Sequence, residues 1–232
     1  STINDYKPKK SIMHKTPKGG QLTKKEIRLQ YSGFVIFGAK ILSVITGLIF
    51  QLIIARSLLA HYERDYDLWF NINNDVTPYF TLMAGALSFW AMRYVARGKE
   101  GAVKTGIFAN LTISAIATLI YLLLIPLITS KLGISGTYLP VYFLVAIQIM
   151  ELYAMGILEA CLQARIPQTI GYGLIVQQVC KVILGYILLI EYHQLLLGAM
   201  ISLIVAASIQ ALYYARLLTK DLRRRIQWDY MR

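Results

Sequence analysis

The sequence has 232 residues, of which 56% are hydrophobic and 16% charged. Its mean hydropathy of +0.53 and its small share of charged residues exclude an ordinary soluble globular enzyme, because soluble domains are roughly a quarter charged. The 24 lysines and arginines outnumber the 12 aspartates and glutamates, which gives a formal net charge of +12. In so apolar a chain, this excess is typical of the loops and termini of a membrane protein rather than of a nucleic-acid-binding surface.

Six apolar stretches are long enough to cross a bilayer, which requires roughly 20 mostly apolar residues. They cover residues 31–55, 68–92, 105–129, 139–162, 168–190 and 195–218. The sequence therefore predicts an all-α polytopic membrane protein with a six-helix transmembrane lobe over residues 31–218. The second stretch is the least regular, because the sequence from Trp69 to Pro78 is too polar to face lipid and must face protein or water.

Basic segments flank this lobe. Residues 1–30 are predicted to form a flexible cytoplasmic arm, and residues 219–232 a basic cytoplasmic tail. With six spans, the loops on the side of both termini carry the basic residues Arg93, Arg97, Lys99, Lys104 and Arg165. The opposite loops are mainly acidic, so the positive-inside rule places both termini in the cytoplasm of a multi-pass cell-membrane protein. Membrane lipid is thus an expected partner, and nucleic acid is not.

Five ionisable side chains fall inside the predicted spans, where a charged group costs at least a few kcal/mol. They are Lys40, Asp75, Glu151, Glu159 and Lys181. From the helical rise of about 1.5 Å per residue, Lys40, Glu151 and Lys181 all lie near the middle of the bilayer. We therefore expect these three side chains to meet at one level.

Each ionisable residue belongs to a polar stripe at helical spacing, and four of the six predicted helices carry one. The simplest arrangement that turns all four stripes away from lipid is a bundle around a hydrophilic cavity. Buried lysine–glutamate pairs that only hold helices together are the alternative, but the asparagines around Asp75 exceed what one pairing partner needs. The predicted substrate-binding residues are Lys40, Gln51, Asn74, Asp75, Gln148, Glu151, Glu159, Gln177 and Lys181.

No pattern in the sequence indicates catalysis, a cofactor or a metal site. The segment 98–105 imitates a phosphate-binding loop, but Val103 replaces the second glycine and no strand precedes it. The three histidines are scattered over the arm and the loops, and Cys161 and Cys180 lie in apolar runs. We therefore expect neither an enzyme nor a bound cofactor or metal.

Short motifs at the helix ends resemble those of one membrane family. They are Ala55-Arg56-Ser57-Leu58, Tyr66-Asp67-Leu68-Trp69, Gly85-Ala86-Leu87, Arg93-Tyr94-Val95-Ala96 and Leu162-Gln163-Ala164. The chain is similar in these motifs to polysaccharide exporters, the lipid-linked oligosaccharide flippases of the MATE-like MOP superfamily, over about residues 28–220. It departs from the family at Leu59 and Ala60, where Gly-Pro is common, and at Asp67, which replaces a glycine.

The resemblance implies that this chain forms one lobe of six helices. In a full transporter, which has twelve to fourteen helices, two such lobes face each other. The basic tail would then lie where the linker between the lobes begins. A second lobe, or another copy of this chain, is therefore an expected partner. The resemblance leaves open whether that second lobe belongs to a longer chain, to a separate subunit or to a homo-oligomer.

The resemblance also implies a function, which is the flipping of a lipid-linked, anionic glycan by alternating access. Lys40 and Lys181 would attract its diphosphate or acidic sugars. Glu151, Glu159 and Asp75 would hold the lysines in the empty state or take up a coupling proton or sodium ion. Two alternatives stay open at this point. One is an organic-cation antiporter lobe that uses Asp75 and Glu151, and the other is a membrane scaffold subunit without transport activity.

Overall fold

The computed structural model describes residues 24–59 and 63–227, with side chains from residue 30 onward in the first helix. The described residues form helices and turns without a strand, which confirms the all-α prediction. The helices are α1 (Lys24–Leu59), α2 (Glu63–Asn71), α3 (Thr77–Thr81), α4 (Ala84–Ala96), α5 (Ala102–Lys131), α6 (Leu139–Arg165), α7 (Gln168–Tyr186), α8 (Leu195–Leu217) and α9 (Thr219–Leu222). Two π-helical segments, Ile72–Val76 and Ile187–Glu191, follow α2 and α7.

Five helical segments are long and apolar enough to cross a membrane. They are Gln30–Leu59, Ala102–Lys131, Gly136–Arg165, Gln168–Glu191 and Leu195–Leu217. These segments coincide with five of the six predicted spans, and the chain is therefore a multi-pass membrane protein. Most of the predicted arm lies outside the described residues, and α1 already begins at Lys24.

The remaining predicted span, the second at 68–92, is not one continuous helix. It is divided into α2, a π-helical segment, α3, a turn at Leu82 and Met83, and α4. Side-chain amides take part in the irregular region, since Asn73 donates to the Trp69 carbonyl at 2.9 Å. Pro78, the second residue of α3, cannot donate a backbone hydrogen bond, so the helical hydrogen-bond pattern loses one further bond. Six spans and the cytoplasmic position of both termini consequently stay predictions.

The helices form two groups of three around a gap. Helix α1 packs against α7, and α7 packs against α8, while α4, α5 and α6 pack against one another. Contact between α6 and α8 joins the two groups. Most large apolar side chains of α1 are exposed, as expected for a helix that faces lipid. The gap between the two groups is where polar side chains collect.

The group of α4, α5 and α6 is tightly packed and is held by buried hydrogen bonds. The amide of Asn110 donates to the Tyr153 carbonyl at 2.6 Å, and the Tyr121 hydroxyl donates to the Tyr142 carbonyl at 2.8 Å. Gly106 lets α5 approach α4, because a Cβ atom there would lie 2.9 Å from that of Ala91. Small and polar residues at such contacts are typical of packed membrane helices.

Replacing Tyr121 with Phe removes one of these buried hydrogen bonds without changing the apolar ring. We expect the free energy of unfolding to fall by about 1 kcal/mol, the usual contribution of one buried hydrogen bond. Thermal unfolding in detergent measures the change. Tyr79→Phe is the matched control, because the side chain of Tyr79 is 81% exposed. Equal midpoints for the two variants would contradict a stabilising role for the Tyr121 hydroxyl.

Candidate substrate cavity

A cavity of about 560 Å³ opens between α3, α6, α7 and α8, in the gap between the two groups of helices. Its volume falls in the range of small-molecule binding sites. The polar residues that line it are Asn73, Thr77, Thr81, Gln148, Glu151, Glu159, Gln177 and Gln210. The cavity is thus a polar chamber within an otherwise apolar bundle.

Helix α6 supplies one wall of the cavity. Gln148, Glu151 and Glu159 follow spacings of three and eight residues, which places them on one face of the helix. Glu151 lies near the middle of the candidate span Gly136–Arg165 and is therefore close to mid-bilayer depth. Gly156 lies between Glu151 and Glu159 in the sequence. A Cβ atom at this position would lie only 3.2 Å from the Ser88 Oγ, so the glycine makes room for this side chain.

Helix α8 provides the hydrogen-bond partners of both carboxylates. The Ser208 hydroxyl donates to Glu151, and the Gln210 amide donates to Glu159 at 3.4 Å. The same amide also donates to the Tyr214 hydroxyl at 2.8 Å. The two glutamates are each half-buried and bonded to neutral donors, so they keep free acceptor capacity toward the cavity.

The electrostatic character of the cavity is acidic. Neither a lysine nor an arginine lines it. The charge of Lys40 on α1 attracts the Glu159 carboxylate from outside the lining. Within the described residues, neither glutamate forms an ion pair. The side-chain oxygens of Gln148, Gln210 and Thr77 are buried without a hydrogen-bond partner among these residues. The chamber therefore offers negative charge to a bound molecule.

The structure brings four of the predicted site residues to this cavity, namely Gln148, Glu151, Glu159 and Gln177. Two others, Lys40 and Gln51, are exposed on α1. Asn74 and Asp75 are also exposed, and Asp75 accepts a hydrogen bond from Asn71 at 3.1 Å. Asp75 lies in a separate cavity of about 410 Å³ with Arg64 and Asp67.

The meeting of Lys40, Glu151 and Lys181 at one level stays a prediction, and these three residues form no ion pair with one another in the described part of the chain. The ammonium group of Lys181 lies 5.2 Å from the centroid of the Phe50 ring on α1. One turn further along α7, Gly185 touches the same ring, since a Cβ atom there would lie 2.5 Å from it. Lys181 thus lies beside α1, while Gln177 lines the cavity. The binding roles of all nine residues stay predictions.

Sequence reasoning missed the contribution of α8. Ser208 and Gln210 did not stand out because they are neutral and lie in a long apolar run. Their signal is the rarity of polar residues within a membrane-length helix, where amides and hydroxyls usually bond across to another helix. Asn73 is a further residue outside the predicted set, and its Oδ1 accepts a hydrogen bond from Gln148 at 3.0 Å.

Among the residues that the structure describes, no three His, Cys, Asp or Glu side chains group so that they could hold a metal ion. The site therefore consists of carboxylates, amides and hydroxyls. Such groups bind cations and hydrogen-bond donors, and a carboxylate can also carry a proton.

Two solved transporters of the MOP superfamily are similar in fold to this chain. One is a MOP superfamily transporter from Pyrococcus furiosus, for which the reverse polarity of the binding pocket suggests a different function. It is 15% identical, with a TM-score of 0.59 over 87% of this chain. The other is an outward-facing multidrug resistance MATE family transporter, 14% identical with a TM-score of 0.60 over 88% of this chain.

This chain spans about half the length of these two transporters, covering 46% and 47% of them. No protein-family model and none of the curated proteins match the sequence. The all-helical fold is thus similar to that of MOP superfamily transporters, whereas the six-helix lobe and the closer resemblance to polysaccharide exporters stay predictions.

Proposed function

We propose that this chain forms one lobe of a membrane transporter that moves its substrate by alternating access, with the cavity between α3, α6, α7 and α8 as its binding chamber. The observation that carries the proposal is the chamber of about 560 Å³, lined by two glutamates and four amide side chains, inside an apolar bundle. Polar groups at bilayer depth are costly, and they mark substrate or ion pathways more often than they serve packing.

The acidic lining favours a cationic substrate. Glu151 and Glu159 supply negative charge without a lining lysine or arginine, and Coulomb attraction is strong where water is limited. An organic cation exchanged for protons on these carboxylates is therefore the substrate class that we propose first.

The flipping of a lipid-linked oligosaccharide or polysaccharide precursor is the second candidate. It is supported by Lys181, which is half-buried at membrane depth and forms no ion pair among the described residues. Lys40 is a second cation at this depth, and the apolar side chains around it on α1 are exposed and suit a lipid chain. A diphosphate would then bind between α1 and α7 rather than in the acidic cavity.

A partner lobe is part of both candidates. Lys40 and Gln51 are exposed on α1 within the span Gln30–Leu59, where contact with lipid would be unfavourable. The similar transporters are about twice as long as this chain. We propose that a second lobe or another copy of this chain covers these residues in the cell membrane.

Reconstitution in vesicles tests the proposal. The full chain is isolated from its native membrane with whatever subunit accompanies it and is reconstituted into liposomes. One assay follows release of a cationic fluorescent dye driven by a proton gradient, and the other follows flipping of a labelled lipid-linked oligosaccharide. Saturable transport above protein-free liposomes in either assay supports a transporter. Failure of both assays, with a stoichiometric unrelated complex bound, would favour the scaffold alternative.

Replacing Lys181 with Met separates the two candidate substrates. If the lysine binds an anionic headgroup, we expect the flipping rate to fall at least about tenfold, because one charge-assisted hydrogen bond is lost. Cation transport should change less than twofold, since Lys181 does not line the acidic cavity. Lys131→Met, at the exposed end of α5, is the matched control. Undiminished flipping in the Lys181 variant would remove the role assigned to this residue.

A further inference from the structure

The last described residues fold back against one end of the helical bundle. The guanidinium of Arg165, at the end of α6, forms an ion pair with the buried carboxylate of Asp221 in α9. Further along, the backbone N–H of Gln227 donates to the Thr105 hydroxyl in the first turn of α5 at 2.9 Å. The segment between these two contacts is therefore anchored at both ends.

Three consecutive arginines lie in this anchored segment. Arg223, Arg224 and Arg225 line a groove of about 430 Å³ together with Glu100 and Gly101. Arg224 donates to Glu100 at 2.6 Å, whereas Arg223 and Arg225 are exposed and have no acidic partner within the described residues. The backbone at Arg225 packs closely against Gly101, because a Cβ atom on Gly101 would lie 2.5 Å from the Arg225 carbonyl oxygen.

The surroundings of the groove leave this positive charge uncompensated. In the helix ends and loops at 93–104, 165–168 and 216–227, the acidic residues are Glu100 and Asp221, and both already form ion pairs. Further cations in the same segments are Arg93, Arg97, Lys99, Lys104, Arg216 and Lys220. An anion is therefore the complementary ligand for this end of the bundle.

The groove stands at the level of the membrane boundary. One candidate span begins at Ala102 in α5, and another ends at Leu217 in α8. The groove therefore lies just beyond the apolar part of these two helices. Trp90 stacks on Tyr94 with ring centroids 4.7 Å apart, and the Arg97 guanidinium is 6.0 Å from the Tyr94 centroid. Amphipathic rings of this kind are enriched at the headgroup layer. Lipid phosphates occupy that same layer.

We propose that Arg223 and Arg225 bind the phosphate of an anionic phospholipid in the leaflet at this end of the bundle. Guanidinium groups match phosphate oxygens with two parallel hydrogen bonds, and the anchored backbone holds them at the right depth. Anionic lipids of that leaflet supply the ligand at high local concentration, and juxtamembrane basic residues favour such binding.

Lipid titration followed by native mass spectrometry tests this site. The purified full chain is titrated with phosphatidylglycerol or with phosphatidylcholine of the same acyl chains. We expect at least a fivefold preference for phosphatidylglycerol, falling below twofold in the variant with Arg223→Gln and Arg225→Gln. Lys131→Gln, at the far end of α5, should keep the full preference. Glu100→Gln should raise it, because Arg224 is released from its ion pair.

Three outcomes would overturn the proposal. They are an equal affinity for both lipids, an undiminished preference in the double arginine variant, and complete replacement of the lipid by millimolar glycerol phosphate. The last result would show a site for a soluble anion. Both exchanged arginines are exposed, so the unfolding midpoint of the double variant should match that of the parent chain, and this measurement excludes misfolding as a cause.

Discussion

Glu151→Gln is expected to lower the rate of proton-driven cation transport at least about tenfold. Glu151 is the carboxylate nearest to mid-bilayer depth in the acidic cavity, and its charge is not matched by a lining cation. Glutamine keeps the shape and can still accept the hydrogen bond from Ser208, so the helix contact survives while the charge is lost. Losing one partly desolvated attraction of 1.4 kcal/mol or more corresponds to this factor.

The initial rate of dye release at a fixed proton gradient measures this effect. Asp75→Asn is the matched control, because this substitution removes the same charge from a position outside the acidic cavity. We expect the control to change the rate less than twofold. The reverse result, with full activity in Glu151→Gln and loss in Asp75→Asn, would place cation binding in the cavity beside Arg64 and Asp67 instead.

Gly173→Ala is expected to destabilise the fold by roughly 3 kcal/mol. A Cβ atom on Gly173 would lie 2.2 Å from the Tyr214 ring, which is fully buried and cannot move aside freely. The Tyr214 hydroxyl donates to the Ile170 carbonyl at 2.9 Å and accepts from Gln210 at 2.8 Å. Overpacking costs about 1–3 kcal/mol, and each displaced hydrogen bond adds about 1 kcal/mol.

Thermal unfolding in detergent, followed by tyrosine and tryptophan fluorescence, measures this loss. Gly47→Ala is the control, because no atom lies within 4 Å of a Cβ atom at that position. Its midpoint should be unchanged or slightly higher, since alanine favours the helix. A midpoint for Gly173→Ala equal to that of the control would show that the packing of α7 on α8 is looser than the structure indicates.

Much of the fold follows from hydropathy alone, because a bilayer requires long apolar helices whose backbone bonds are satisfied internally. The face of α6 that carries Gln148, Glu151 and Glu159 was also predictable, since one helix fixes its own periodicity. The position of Lys181 was not, because it depends on how closely Gly185 lets Phe50 approach, and helix rotation is set by such contacts between helices.

The interrupted region around α3 was only partly predictable. Its polarity and Pro78 mark it as unusual, but side-chain hydrogen bonds also form in this irregular region. They include the bond from Asn73 to the Trp69 carbonyl and the bond from Gln148 to Asn73. The second of these bonds crosses to α6, so a pattern within one segment cannot reveal it.

The segmentation of this region has a mechanical consequence. The five residues of α3 are bounded by a π-helical segment before them and a turn after them, and α3 forms part of the cavity wall. Reorienting such a short rod breaks fewer backbone hydrogen bonds than bending an unbroken helix does. The Tyr153 hydroxyl donates to the Phe80 carbonyl at 3.0 Å and so links this short rod to α6.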